Sequence, residues 1–98
     1  MPDEYIVVSA SKDNVTVPKS NNASTSINAP VPEGYTAIGC LPFSTENATS
    51  GGRASSVTFI FNHTLEADGT IWVNLRNMDT QGDSKVKVRA NVICKNNS

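Results

Sequence analysis

The chain has few cysteines, histidines and aromatic residues, and it has no long apolar run. Its 98 residues include two cysteines, Cys40 and Cys94, and one histidine. Two cysteines are too few for the disulfide framework of a small secreted domain, and they form no CxxC pair that would indicate a zinc site. No stretch approaches the roughly 18 apolar residues of a membrane-spanning helix, so membrane insertion is not expected. A chain this short is expected to form a single domain over residues 1–98.

The net charge and the composition narrow the class of protein further. The formal net charge is -1 at pH 7, which argues against a strongly basic nucleic-acid-binding protein. Hydrophobic residues make up 38% of the chain, below the usual share. Ser, Thr and Asn together number 31, and Val and Ile number 16 against 3 Leu. This bias toward β-branched residues predicts a small β-rich domain.

Alternation of apolar and polar residues predicts strands over most of the chain, and no segment of about 12 residues follows the helical period. The clearest strand is 86–94, where Ile93 is the apolar exception on the polar side. In 57–62 the pattern places Phe59 and Phe61 inside and Ile60 outside. Strands are predicted at 5–10, 14–18, 20–29, 35–43, 57–62, 71–76 and 86–94.

Turn residues separate these segments at spacings typical of antiparallel folds. Residues 11–14 and 77–84 predict turns, and Asp68-Gly69 predicts a tight hairpin. Each strand has one apolar and one polar face, as expected when one face packs and the other meets water. The predicted fold is all-β, an antiparallel β-sandwich or jelly-roll-like structure of about seven to eight strands.

No group in the sequence indicates catalysis, a cofactor or a metal. His63 has no identifiable nucleophile or orienting partner in the pattern. Gly51-Gly52 lacks the Lys-Ser/Thr of a phosphate-binding loop. The acidic turns 66–68 and 79–83 lack the dense alternation of a calcium loop. We therefore expect no enzymatic activity, no cofactor and no metal site.

Covalent modification is left open by the sequence. Cys40 and Cys94 fall inside predicted strands, where they would be either two buried thiols or a disulfide. Five Asn-x-Ser/Thr triplets are present. In a secreted protein they would be glycosylation acceptors, and the alternative is that a chain this rich in Asn, Ser and Thr produces them by chance. The triplets begin at Asn14, Asn22, Asn47, Asn62 and Asn96.

Three segments resemble a known family. Residues 32–39 read PEGYTAIG, residues 73–77 read VNLRN, and the final strand 86–95 reads VKVRANVICK. Together they are similar to the C-terminal β-domains of phage and prophage tail-fibre and baseplate proteins, over roughly the final two thirds of the chain. The resemblance implies a homotrimeric head domain that binds a bacterial cell-surface saccharide and has no catalytic residues.

The resemblance also implies a location at the tail tip of a virion assembled in the host cytoplasm. The first residues show no secretion signal, so we expect either cytoplasmic synthesis or a fragment of a longer protein. Two alternatives belong to other classes. One is a structural domain that caps or oligomerises a fibre without a ligand, and the other is a secreted, extracellular carbohydrate-binding or adhesin domain.

Candidate ligand-binding residues lie in the longest irregular stretch, which is predicted to be a loop over 44–54. Thr45, Glu46, Asn47 and Arg53 supply polar groups there that suit saccharide hydroxyls, and its glycines allow close approach to the backbone. The alternative is a connector without a binding role.

Candidate interface residues are apolar side chains on the polar faces of strands. Trp72 lies on the opposite phase from Ile71 and Val73, and Ile60 and Ile93 occupy the outer phases of their own strands. We expect these three to form an exposed patch at a subunit interface. The alternative is that loops of the same chain cover them.

Overall fold

The computed structural model describes residues 3–49 and 57–98, and these form two antiparallel sheets packed face to face. The described residues contain seven strands: β1 (Tyr5–Val17), β2 (Asn22–Asn28), β3 (Tyr35–Cys40), β4 (Ser44–Asn47), β5 (Thr58–Leu65), β6 (Thr70–Asn77) and β7 (Ser84–Asn96). The predicted all-β sandwich is confirmed. Within these two ranges no helix is long and apolar enough to cross a membrane.

The two sheets are built around β7 and β6. In the first, which we call sheet A, β1 pairs with one side of β7, and β3 and β4 share its other side. In the second, sheet B, the order is β2-β6-β5. The molecule measures 53 × 21 × 16 Å, because the 13-residue strands β1 and β7 are longer than any strand of sheet B.

The core is the layer between the inner faces of these sheets. On β6 and β7 every second residue is buried, as the sequence predicted, and Ile93 lies on the outer phase of β7. Burial of each such aliphatic side chain stabilises the fold by about 1.5–3 kcal/mol. The fully buried large side chains of this layer include Val17, Ile71, Val73, Leu75, Val86, Val88 and Val92.

The predicted turn at 11–14 is wrong, because β1 runs through it as one strand. A β-bulge between Lys12 and Val15 takes up the turn-like residues, and Asn14 adopts a φ of 56°. Asn tolerates this left-handed conformation. The Asp13 carboxylate accepts hydrogen bonds from the backbone amides of Asn14 (2.8 Å) and Thr49 (3.1 Å). The continuous partner β7 therefore keeps both halves of β1 in one sheet.

The predicted faces of β5 are also wrong. Phe59 and Phe61 are 47% and 48% exposed, whereas Ile60 packs against the core. The inner position at the start of the strand belongs to Thr58, whose hydroxyl is hydrogen-bonded to the buried Ser84 hydroxyl. A bulge between Ile60 and Asn62 then shifts the register of the rest of the strand.

The structure also differs from the prediction at the junction between the predicted strand 35–43 and the predicted loop 44–54. β3 ends at Cys40, and β4 begins at Ser44 after a break that contains Pro42. Proline has no amide hydrogen for a sheet ladder, which accounts for the interruption. Four residues predicted as loop are therefore a strand, because β7 is long enough to pair with both β3 and β4.

Candidate functional site

The structure does not bring the three predicted interface residues together. Trp72 lies on the outer face of sheet B and is 46% exposed. Ile93 lies on the outer face of sheet A, and Ile60 packs against the core between the sheets. The prediction of one shared patch is wrong, since the outer faces of a sandwich point in opposite directions.

The predicted ligand-binding residues Thr45, Glu46 and Asn47 lie on β4. The guanidinium of Arg89 donates to the Glu46 carboxylate from Nε (3.2 Å) and from Nη2 (3.0 Å). This hydrogen bonding lowers the pKa of Glu46 below its ordinary value. Arg53 lies outside the described residues. A binding role for these four residues stays a prediction, and one Glu46 oxygen already has a cationic partner.

Aromatic and amide side chains share the outer face of sheet B. Strand pairing places outward side chains of β2, β6 and β5 in three rows that each cross all three strands. The first row is Asn22, Arg76 and Phe59; the second is Ser24, Asn74 and Asn62; the third is Ser26, Trp72 and Thr64.

The second row forms a continuous chain of side-chain hydrogen bonds. The Ser24 hydroxyl donates to Oδ1 of Asn74, and Nδ2 of Asn74 donates to Oδ1 of Asn62. These bonds fix the orientation of both amides. The amide nitrogen of Asn62 makes no hydrogen bond within the described part of the chain, so this row presents oriented donors to solvent.

The first row forms a shallow cavity at one end of the same face. Nη1 of Arg76 donates to Oδ1 of Asn22 over 3.1 Å. Phe59 and Phe61 complete the walls of this cavity of about 310 Å³. An aromatic wall beside a guanidinium suits a ligand that has both an apolar surface and an acceptor group.

A second cavity of about 340 Å³ opens at the edge of the sandwich between β4 and β5, lined partly by Phe43, Thr45 and His63. The rings of Phe43 and His63 meet edge to face, with centroids 4.8 Å apart. In residues 3–49 and 57–98 no side chain hydrogen-bonds to His63, and no three His, Cys, Asp or Glu residues cluster as a metal site would require. Within the described residues, the contact of His63 is with the ring of Phe43.

An exposed apolar patch lies on the outer face of sheet A. Val7 and Gly39 flank Ile93 on the neighbouring strands. We call Tyr5, Val7, Ile38, Leu41 and Ile93 the sheet A patch; all but the partly buried Ile93 are at least 40% exposed. Such a patch on a small domain is typical of a protein interface.

Comparison of the chain with protein-family models, with curated proteins and with solved structures finds no match. The geometry of the two outer faces is therefore what indicates a function. Sequence reasoning had placed Trp72, Asn74 and Arg76 on one side of their strand. It missed Ser24, Asn62 and the other residues that the strands β2 and β5 bring beside them, because no local pattern specifies that pairing.

Proposed function

We propose that this domain is a saccharide-binding adhesion module, with its binding site on the outer face of sheet B. The observation that carries the proposal is the exposed ring of Trp72 beside the hydrogen-bonded row Ser24–Asn74–Asn62. A sugar ring has an apolar face of C–H groups and a rim of hydroxyls. The large flat indole ring can stack against the C–H face of the sugar, and the oriented amides can donate to and accept from its hydroxyls.

The site is built on strands, which favours recognition without a large ordering cost. Trp72 and Asn74 are on the central strand β6, and Asn62 and Ser24 are on its two neighbours. Groups held in place before binding lose little conformational entropy when a ligand arrives. The proposal places the site on a sheet face and not in the segment 44–54.

Fluorescence titration tests this proposal directly, because Trp72 is the single tryptophan of the chain. We expect a saccharide from a bacterial cell surface to change the emission of Trp72, and Trp72→Ala to abolish binding measured by calorimetry. Trp72→Phe should retain weaker binding, since a smaller ring remains. Glu46→Ala, on the opposite sheet, is the matched control and should bind as the wild type does.

Two results would overturn the site or the function. If Glu46→Ala loses binding and Trp72→Ala still binds as the wild type does, the site lies on β4, where the sequence first placed it. Absence of binding by the wild-type domain to every glycan of a bacterial array and to whole cells would favour a fibre-capping role without a ligand.

The second part of the proposal is that the adhesion module assembles as a homotrimer, which the sheet A patch favours. The trimer would be of tail-fibre or baseplate type, at the tip of a virion. Copies that pack through sheet A leave the outer faces of sheet B open to ligand. A threefold ring closes through a heterologous contact, in which one part of the patch on each copy meets a different part of the patch on the next copy.

Light scattering tests the trimer. Val7→Lys places a charge in the patch beside Ile93, at a position that is 55% exposed, and should convert a trimer to monomers. Trp72→Lys is the control on the opposite face and should leave the mass unchanged. A monomeric wild-type protein at high concentration would contradict assembly through this patch.

A further inference from the structure

Arg76 is a cation without an acidic partner on the proposed binding face. The strands of sheet B hold no Asp or Glu, and Arg76 is their single Arg or Lys. Within the described ranges Arg76 forms no ion pair, and its side-chain hydrogen bond is to the neutral amide of Asn22. Arg89 on sheet A provides the contrast, since it is bound to Glu46.

The surroundings of Arg76 increase the strength with which it would hold an anion. Its residue is half-buried, and Phe59 and Phe61 form the apolar walls of the same cavity. These rings displace part of the water around the guanidinium, so a charge–charge attraction is screened less there than at a fully hydrated side chain. The guanidinium is planar and presents a fork of donors that matches a carboxylate in two parallel hydrogen bonds.

The position of Arg76 connects it to the rest of the proposed site. It lies on β6 four residues from Trp72, which corresponds to about 13 Å along an extended strand. Asn74 lies between the two on the same face. A saccharide chain that stacks on Trp72 and bonds to the amide row therefore extends into the cavity of Arg76.

We infer that the saccharide bound by this face carries a carboxylate, as in a uronic or nonulosonic acid residue, and that Arg76 binds this carboxylate. The inference rests on the proposed function and adds the chemical class of the ligand. A single planar cation with no second Lys or Arg on the strands of the face suits one planar monoanion.

The test compares an acidic polysaccharide with its own neutral form. The probes are a uronic-acid-containing polysaccharide, the same polymer after chemical reduction of its carboxyl groups to alcohols, and a phosphate-containing teichoic acid. We expect wild-type protein to bind the acidic form about tenfold or more tightly than the reduced form, and this preference should weaken with added salt.

Variants assign the preference to one side chain. Arg76→Gln keeps hydrogen-bonding capacity and removes the charge, so it should bind both forms as weakly as the wild type binds the reduced form. Arg76→Lys keeps the charge without the fork and should show an intermediate preference. Lys87→Gln removes a cation from sheet A and is the matched control, with no expected change.

The outcomes separate this inference from the proposed function. The wild type could bind the acidic and reduced forms equally, and Trp72→Ala could bind neither. That result would overturn the inference of an acidic ligand and leave the proposal of saccharide binding in place. A preference that persists in Arg76→Gln, or binding confined to teichoic acid, would also overturn the inference. Failure to bind any of the three probes or any array glycan would overturn both.

Discussion

The side-chain amide of Asn77 on β6 donates a hydrogen bond to the backbone carbonyl of Val17 on β1, 3.1 Å away. It also donates to the carbonyl of Gly82 (3.1 Å) and accepts from the amide of Asp79 (2.9 Å). Asn77 is fully buried. One side chain therefore links sheet A to sheet B and holds the connection between β6 and β7.

Asn77→Asp is expected to destabilise the protein by about 3 kcal/mol. The substitution removes both donors and places a carboxyl group next to two carbonyl oxygens. Urea denaturation followed by circular dichroism measures the free energy of unfolding. Asn28→Asp on the exposed end of β2 is the control and should change it by less than about 0.5 kcal/mol. Equal effects of the two substitutions would contradict the role given to Asn77.

Gly69 and Gly34 form a matched pair for separating steric clash from backbone strain. Both have positive φ, at 95° and 87°. A Cβ at Gly69 would lie 2.6 Å from the carbonyl oxygen of Ala29 and 2.6 Å from Cγ2 of Val31, whereas a Cβ at Gly34 would meet nothing within 4 Å. Gly34→Ala should therefore cost about 1 kcal/mol for its backbone conformation.

Gly69→Ala should cost about 3 kcal/mol, because the β5–β6 turn must also move away from residues 29–31. Thermal unfolding of both variants beside the wild type checks this order. A loss in Gly34→Ala as large as that in Gly69→Ala would show that strain alone sets the cost.

Three carboxylates at the surface predict loss of stability in acid. Hydrogen bonds lower the pKa of Glu46 through Arg89, of Asp13 through Thr49 and of Asp68 through the amide of Thr70. Because the pKa is lower in the folded state, each ionised carboxylate stabilises the fold. This stabilisation is complete above the ordinary pKa values of 4.5 for Glu and 3.8 for Asp, and it is lost as pH falls through the folded pKa.

The free energy of unfolding should therefore fall between about pH 5 and pH 2, as measured by urea titration at each pH. Glu46→Gln removes one of the three groups and should make this fall shallower. High salt should weaken the Glu46–Arg89 part of the effect, because both side chains are exposed. Stability that does not change over this range would contradict the assignment.

The two thiols should differ in reactivity. Cys94 is buried and Cys40 is half-buried, and both are free. Burial raises the pKa of both thiols, so little thiolate is present at neutral pH. Iodoacetamide should label native protein slowly, Cys40 before Cys94, and should label both rapidly in urea. Mass spectrometry of tryptic peptides gives the two rates, and rapid native labelling of Cys94 would contradict its burial.

Much of the fold was predictable from local pattern. The Val/Ile excess and the period-two alternation determine an all-β chain. They also determine the inner faces of β6 and β7, because side chains on a strand point alternately to its two sides and only one side reaches the core. The same alternation placed Trp72, Asn74 and Arg76 together on the outer side of β6, which is half of the candidate site.

Where the alternation of apolar and polar residues leaves the buried face of a strand ambiguous, the tertiary structure decides which face is buried. In β5 one phase offers Phe59 and Phe61 and the other offers Ile60, which Leu65 joins on the inner face only because a bulge shifts the register by one residue. The buried hydrogen bond between Thr58 and Ser84, together with the bulge after Ile60, selects the second phase. The phenylalanines then become the wall of the surface cavity beside Arg76.

The other half of the site depends on strand pairing. Ser24 and Asn62 are 38 positions apart in the sequence, and both bond to Asn74 because β2 and β5 lie on either side of β6 in one register. A local pattern shows which face of a strand is polar. Which polar residues stand side by side is set by the pairing of distant strands, and that pairing is decided by how the two inner faces pack.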